Sequence, residues 1–223
     1  MNEENHSLGQ QVFHKIREDI LSGTYKKEEE LKEKTIGEEL GVSRTPVREA
    51  LRQLELEGLV SIIPNKGAYV VGFTVEDIKD IYEIRTVLEG LCAKRAATRA
   101  TQKQLEELEE ILYLSEFHTQ KGHIEQLVEL DTRFHEILYE ACASKVLEHA
   151  LRDYHHYLER VRKVTLASEK RSVESNKEHK QILVAVKEQD EKKAEACATL
   201  HMINTIHNID FYGWEEIVNY PKM

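Results

Sequence analysis

The stretch GVSRTPVREALRQLELEGLV, residues 41–60, decides how the first third of the chain is read. It carries Arg44, Arg48 and Arg52 at intervals of four. On a helix of 3.6 residues per turn those side chains drift by about 40° per step, so they line an arc of roughly 80°. Val47, Ala50, Leu51 and Leu54 lie on the other side and supply an apolar face to pack inward. Ser43 is placed to cap this helix and Pro46 is tolerated in its first turn, so a helix over 43–57 is predicted. Residues 31–70 hold six basic and six acidic side chains, so the positive charge is sorted in space rather than in excess.

Working outward, QQVFHKIREDILS (10–22) spaces Val12, Phe13, Ile16, Ile20 and Leu21 as one helix, with Gly23 as its stop. TYKKEEELKEK (24–34) reads as a charged connector, and a short helix of about 35–40 ends at Gly41. Beyond the arginine helix the period changes. LVSIIPNKGAYVVGF (59–73) is rich in β-branched residues around Pro64–Gly67 and predicts a two-stranded hairpin. Three helices and a hairpin in this order form a winged helix-turn-helix. The arginine fork suits phosphate oxygens and the O6/N7 edge of guanine, and a recognition helix presents it to the major groove. Lys66, at the wing tip, could reach a flanking phosphate or the minor groove, and Gly67 lets backbone approach closely.

From Thr74 to about residue 210 only helical patterns occur, with Gly122 as a break and no proline before Pro221. Ile78, Ile81, Ile84, Val87, Leu88, Leu91 and Cys92 form an apolar stripe along the first of these helices. KVLEHALRDYHHYLERVRKV (145–164) reads as one helix. The fold class is therefore mainly α: a winged helix-turn-helix over 1–72, then an antiparallel bundle of about six helices over 73–223. No fixed-period repeat interrupts it.

The totals constrain function. Thirty-one Lys+Arg against 41 Asp+Glu give a net charge of −10, which argues against indiscriminate nucleic-acid binding but permits a local DNA-reading element. No apolar run reaches the roughly 18–20 residues that span a bilayer. The acidic start MNEENHSLGQQVF lacks the positive charge of a secretory signal, so a cytoplasmic protein with no membrane partner is expected. Cys92, Cys142 and Cys197 are widely spaced and read as reduced, buried structural thiols.

A second constellation is independent of the arginines. Asp131 and His135 are i, i+4 and project from one helix face. His179 and His201 are 22 residues apart, about 33 Å on an unbroken helix. Asp190, midway in VKEQDEKKAE, can cap a new helix and fold the chain into a hairpin that returns His201 to the height of His179. One carboxylate and three imidazoles suit a divalent ion such as Zn, Ni, Fe or Mn. With 11 histidines in the chain, spacing alone leaves packing histidines as the alternative. Surface or packing roles are expected for His149, His155, His156 and His207, and no role in a site for His6, His14, His118 and His123.

LGVSRTPVREALRQLELEGLV followed by PNKGAYV closely resembles the DNA-binding domain of the GntR family of bacterial transcription regulators, over roughly 10–72. The resemblance implies DNA contacts by Arg44, Thr45, Arg48 and Gly67, with Ser43 as the small polar residue opening the recognition helix. Lys34 stands where the family often has arginine. DTRFH, EHKQIL and ATLH, with EIRTVLEGLCAKRAA before them, resemble the FCD ligand-binding domain of the FadR-type branch, over about 74–210. That resemblance implies Asp131, His135, His179 and His201 as metal ligands, a small organic acid as effector, and a homodimeric repressor. Arg85 has two readings, a partner for the effector carboxylate or an ion pair to Glu89.

The function expected is a transcription regulator, not an enzyme, whose grip on double-stranded operator DNA is controlled by a small carboxylate at a metal site. The alternative is a regulator that senses the metal ion directly. A metal-dependent enzyme is disfavoured because no acid/base pair of clear spacing accompanies the ligands.

Overall fold

The computed structural model describes residues 7–218, with the side chains of 217 and 218 left out. The first six residues of the acidic start, His6 among them, and the last five residues of the tail lie outside the described residues. The chain divides into two compact units between Thr74 and Val75. Among the described residues there are eleven helices and one three-stranded sheet.

In the first unit, α1 (Leu8–Leu21) is opened by Ser7, whose hydroxyl accepts from the Gln10 N–H while the Gln10 side chain accepts from the Ser7 N–H. Val12, Ile16 and Ile20 are its buried face, and Gly23 follows in the left-handed region. Next come β1 (Glu30–Leu31), α2 (Glu33–Leu40), α3 (Arg44–Leu56), β2 (Val60–Ile63) and β3 (Gly67–Val70). Gly41, at φ 66°, ends α2 by returning its N–H to the Gly37 carbonyl. Val47, Ala50, Leu51 and Leu54 are all buried, as the spacing of α3 predicts.

The hairpin β2–β3 forms as expected, but the sheet has a third strand, in the order β1-β3-β2 and antiparallel throughout. The supposed connector supplies it: Glu30 pairs with Tyr69 and Leu31 with Ala68, and Leu31 is buried. Two residues cannot display a period of two, so the strand is set by backbone pairing to β3 rather than by side-chain pattern.

The second unit contains α4 (Val75–Arg99), α5 (Gln102–Lys121), α6 (Ile124–Ala141), α7 (Lys145–Tyr157), α8 (Glu159–Leu166), α9 (Glu169–Lys187), α10 (Glu191–Tyr212) and α11 (Trp214–Val218). Eight helices replace the six expected. The segment 145–164 is broken at Leu158, where the backbone leaves helical values at φ −100°, ψ 7°. The His155 carbonyl at this break accepts from the Leu158 N–H and the Arg162 guanidinium. The second extra helix is α11, whose Trp214 ring packs edge-on against buried Tyr82.

Phe134, Ile137, Leu138, Ile182, Leu183 and Val186 form the main core with Ala93, Ala96, Ala97, Ala194 and Ala198. Alanines and Gly90 bring α4 and α10 close: a Cβ on Gly90 would collide with Thr199 Oγ1. Of the apolar stripe expected on α4, Ile78, Ile81 and Cys92 are buried and Leu88 and Leu91 half-buried, but two members are not. Ile84 and Val87 are exposed, at 43% and 70%, whereas Arg85 and Glu89 are buried. Cys92 and Cys142 are buried free thiols and Cys197 is half-buried. No helix among the described residues is long and apolar enough to cross a membrane.

Candidate functional site

The first candidate surface is the outer face of α3. Arg44, Thr45 and Arg48 are exposed there. Ser43 occupies the N-cap position, but contrary to expectation its hydroxyl makes no capping hydrogen bond. Lys34, in the first turn of α2, is exposed with its Nζ 3.8 Å from Glu38 Oε1. On the wing, Lys66 is exposed and its carbonyl accepts from the Tyr69 hydroxyl. Gly67 has φ 124°, a value that favours glycine. Glu33, unremarked in the sequence, binds both Arg48 and Arg44 through its carboxylate.

The second candidate lies inside the helical unit. Asp190 caps α10, accepting from the Lys193 N–H at 3.0 Å, and α9 and α10 form the hairpin anticipated from the sequence. His179 Nε2 and His201 Nε2 consequently lie 3.3 Å apart. One ring nitrogen each of His135, His179 and His201 falls within 4.8 Å of the others, and all three residues are buried. Asp131 Oδ1 is 3.8 Å from His179 Nε2. The Phe134 ring stacks on His179 with centroids 4.1 Å apart.

Partners on the far side of each ring set the chemistry. His201 Nδ1 is 2.7 Å from Glu178 Oε2, and His135 Nδ1 is 3.3 Å from Glu89 Oε2. Burial opposes the ionisation of Glu178, yet the His201 hydrogen bond and Arg171 hold its carboxyl below the usual range. A carboxylate only accepts, so both Nδ1 atoms carry protons and Nε2 is the nitrogen left to take a cation. Burial also drives His179 well below its ordinary value, keeping it neutral. At 3.3 Å, the two Nε2 atoms share either one proton or one cation. That separation matches the edge of a tetrahedron with metal–nitrogen bonds of about 2.0–2.1 Å, so the donors fit a divalent ion.

Arginines surround this centre. Arg171 is bound to Glu178 at 3.0 Å, and Arg162 Nε lies 3.4 Å from Asp131 Oδ2. The second pair is held by charge, since neither atom has a hydrogen-bond partner among the described residues. Arg85 takes the ion-pair reading: its guanidinium is 2.5 Å from Glu89 Oε1. It also helps line a cavity of about 30 Å³ with Asp131, His135, Arg162, Arg171 and His201. A wider groove of about 730 Å³ between α5 and α9 contains none of the predicted ligands.

Of the surface or packing roles expected for His155, it takes the buried one. It is buried beside His135, and with Glu89 these form a second close group of possible donors. Arg85 donates to Glu89 and faces His155 Nδ1 at 3.2 Å, so a positive charge already occupies that group. The His135, His179 and His201 trio is the better cation site. Glu178 was identifiable as the neighbour preceding His179, while Arg162, Arg171 and His155 carry no sequence signal that separates them from surface charges.

With that geometry in place, comparison with known proteins decides the family. Residues 8–70 match the bacterial regulatory proteins of the gntR family and residues 80–204 match the FCD domain. The chain belongs to the GntR family, with an FCD domain. It is similar to LutR, an HTH-type transcriptional regulator of Bacillus subtilis (strain 168), at 30% identity over 206 residues, 82% of this chain and 91% of that one. The transcriptional repressor RspR of Escherichia coli (strain K12) is 27% identical over 195 residues, 87% and 86% of the two chains. Among solved structures, E. coli McbR/YncC superposes with a TM-score of 0.73 at 25% identity, covering 93% of this chain and all of that one. This GntR-family chain is a DNA-binding transcription regulator and not an enzyme.

Proposed function

We propose that this GntR-family chain is a cytoplasmic homodimeric repressor whose operator affinity is set by a small organic acid bound at a divalent metal in the FCD domain. The convergence of His135, His179 and His201, with carboxylates fixing two of the three rings, is the observation that carries this reading. Asp131, His135, His179 and His201 would hold the ion, which when bound supplies a Lewis-acidic position for carboxylate oxygens. Arg162 is the better-placed contact for the acid, because its partner Asp131, 3.4 Å away, would be drawn to the ion, whereas Arg85 stays paired with Glu89.

On the DNA side, Arg44, Thr45 and Arg48 reach the major groove, Ser43 and Lys34 the adjoining backbone, and Lys66 and Gly67 of the wing a flanking segment. A two-fold dimer presents two such surfaces to a near-palindromic operator. An acid that binds one dimer geometry better shifts the population, and DNA must act on the acid reciprocally. A coupling of about 1–3 kcal/mol alters operator affinity by roughly 5- to 150-fold.

A second reading has its own support: a cavity of about 30 Å³ holds about one water and no organic acid without rearrangement. In that reading the metal ion itself is the effector. Metal analysis after dialysis, followed by thermal-shift screening of mono- and dicarboxylic acids on metal-loaded protein, separates the two. Stabilisation by an acid only in the presence of metal supports the first reading. Loss of the ion at micromolar concentration with no acid response supports the second.

A further inference from the structure

Glu33 opens α2 and reaches across to the exposed face of α3. Arg48 donates from Nε to its Oε1 and from NH2 to its Oε2, both at 2.8 Å. Arg44 donates to Oε2 from NH2 at 3.1 Å and from Nε at 3.3 Å. One carboxylate thus closes on two guanidiniums. The Glu33 side chain is 24% exposed, against 65% and 52% for Arg44 and Arg48.

The atoms used matter. Both arginines engage Glu33 through the Nε/NH2 edge of the guanidinium, leaving NH1 and the outer N–H of NH2 outside the clamp. That remaining edge is a flat pair of donors, the kind that reads O6 and N7 of guanine. The engaged edge is closed to a phosphate, which takes a guanidinium bidentately where it can. A carboxylate at this point therefore has two effects. It satisfies within the protein part of the attraction that backbone phosphates would exert, and it holds both planes in fixed orientation.

Resting on the reading that Arg44 and Arg48 contact DNA, we propose that Glu33 is a specificity-determining positioning residue. It lowers the affinity of the recognition helix for any phosphate backbone while holding two arginine edges ready for bases. Specificity is a difference of affinities, and suppressing the sequence-independent share raises the ratio without any new base contact. Glu38, further along α2, supplies the internal control. It is an acidic residue of the same helix, 69% exposed and paired only loosely with Lys34 at 3.8 Å, so removing its charge changes the field but not the clamp.

The test uses the full chain and two duplexes: one recovered by selection from a randomised pool, the other a scramble of equal composition. Dissociation constants and salt slopes are measured for wild type, Glu33→Gln and Glu38→Gln. One additional phosphate contact near 0.1 M salt is worth about tenfold and steepens the slope by about 0.9. Glu33→Gln is therefore expected to tighten the scrambled duplex by about tenfold per contact regained, steepen its slope, and reduce the selected-to-scrambled ratio. Glu38→Gln should move both duplexes together. Should Glu33→Gln lose its helical circular dichroism, Glu33→Asp keeps the charge but is too short to span both guanidiniums, and the same fall in ratio is expected. An unchanged ratio in the folded variant, or a response matching Glu38→Gln, overturns the role of Glu33 while the DNA reading stands. A wild-type protein that selects no duplex overturns both.

Discussion

His179 Nε2 and His201 Nε2 face each other at 3.3 Å across a hairpin whose turn is fixed by Asp190. If a cation sits between them, removing one ring must remove the cation. His201→Ala is expected to lose bound zinc after dialysis, where wild type retains about one ion per chain. A ligand at 100 times its dissociation constant stabilises by about 2.7 kcal/mol, which for a chain of this size is roughly 5–10 °C. The zinc-induced rise in melting temperature should therefore vanish in His201→Ala. An equal rise in both proteins would place the ion elsewhere.

The recognition helix makes a sharper demand. Arg48→Ala truncates an exposed side chain, so folding should be unaffected. A bidentate base contact is worth about 1–3 kcal/mol, and a dimer loses two of them. Operator binding in a gel shift should weaken by about 30-fold or more. Unchanged binding with an intact circular dichroism spectrum would remove α3 from the interface.

The tight crossing of α4 and α10 at Gly90 is a packing prediction. Gly90→Ala drives a methyl group into Thr199 Oγ1 and should cost about 1–3 kcal/mol of stability. Pairing it with Thr199→Ala removes the nearest atom and should recover part of the loss. No recovery in the double variant would mean that the Glu195 carbonyl, 3.3 Å from the same Cβ position, sets the spacing.

Glu89 links the buried network to pH. Burial alone would raise its carboxyl, but His135 and Arg85, together with the Tyr139 hydrogen bond, hold it below the usual carboxylate range. A carboxyl depressed by folding stabilises above its unfolded value near 4.5, and that contribution is lost as pH falls through the folded value. Breaking a buried pair by removing one partner costs about 3–5 kcal/mol. Glu89→Gln should therefore lower the melting temperature most at pH 7, and the gap from wild type should narrow in acid. A gap that stays constant as pH is taken from 7 to well below 4.5 would contradict this assignment.

Much of this architecture was legible before any coordinates because it rests on periodicity and caps. Val47, Ala50, Leu51 and Leu54 recur at helical spacing, and Asp190 interrupts a helix where a polar run allows it. What escaped lacks a local signal. The strand of Glu30 and Leu31 is too short to show alternation, and the break at Leu158 has neither proline nor glycine. The buried face of α4 was misread at four positions, because hydropathy assigns Arg85 and Glu89 to solvent and Ile84 and Val87 to the core. Their partners Tyr139 and His155 are 50 or more residues away along the chain from the residues they contact on α4. Asp131, His135, His179 and His201 were visible as a set, and Glu178 as the neighbour of His179, but the surrounding Arg162 and Arg171 were not. Nothing in the sequence separates a charged side chain turned inward from one turned outward.

The most direct test of coupling between the buried centre and the recognition helix is a fluorescence-anisotropy titration of the selected duplex with zinc-loaded and EDTA-dialysed full-length protein. Each is run with and without the acid that most stabilises the loaded form. The dissociation constant should change by roughly 5- to 150-fold with the acid, and only in loaded protein. The same constant under all four conditions would contradict the account.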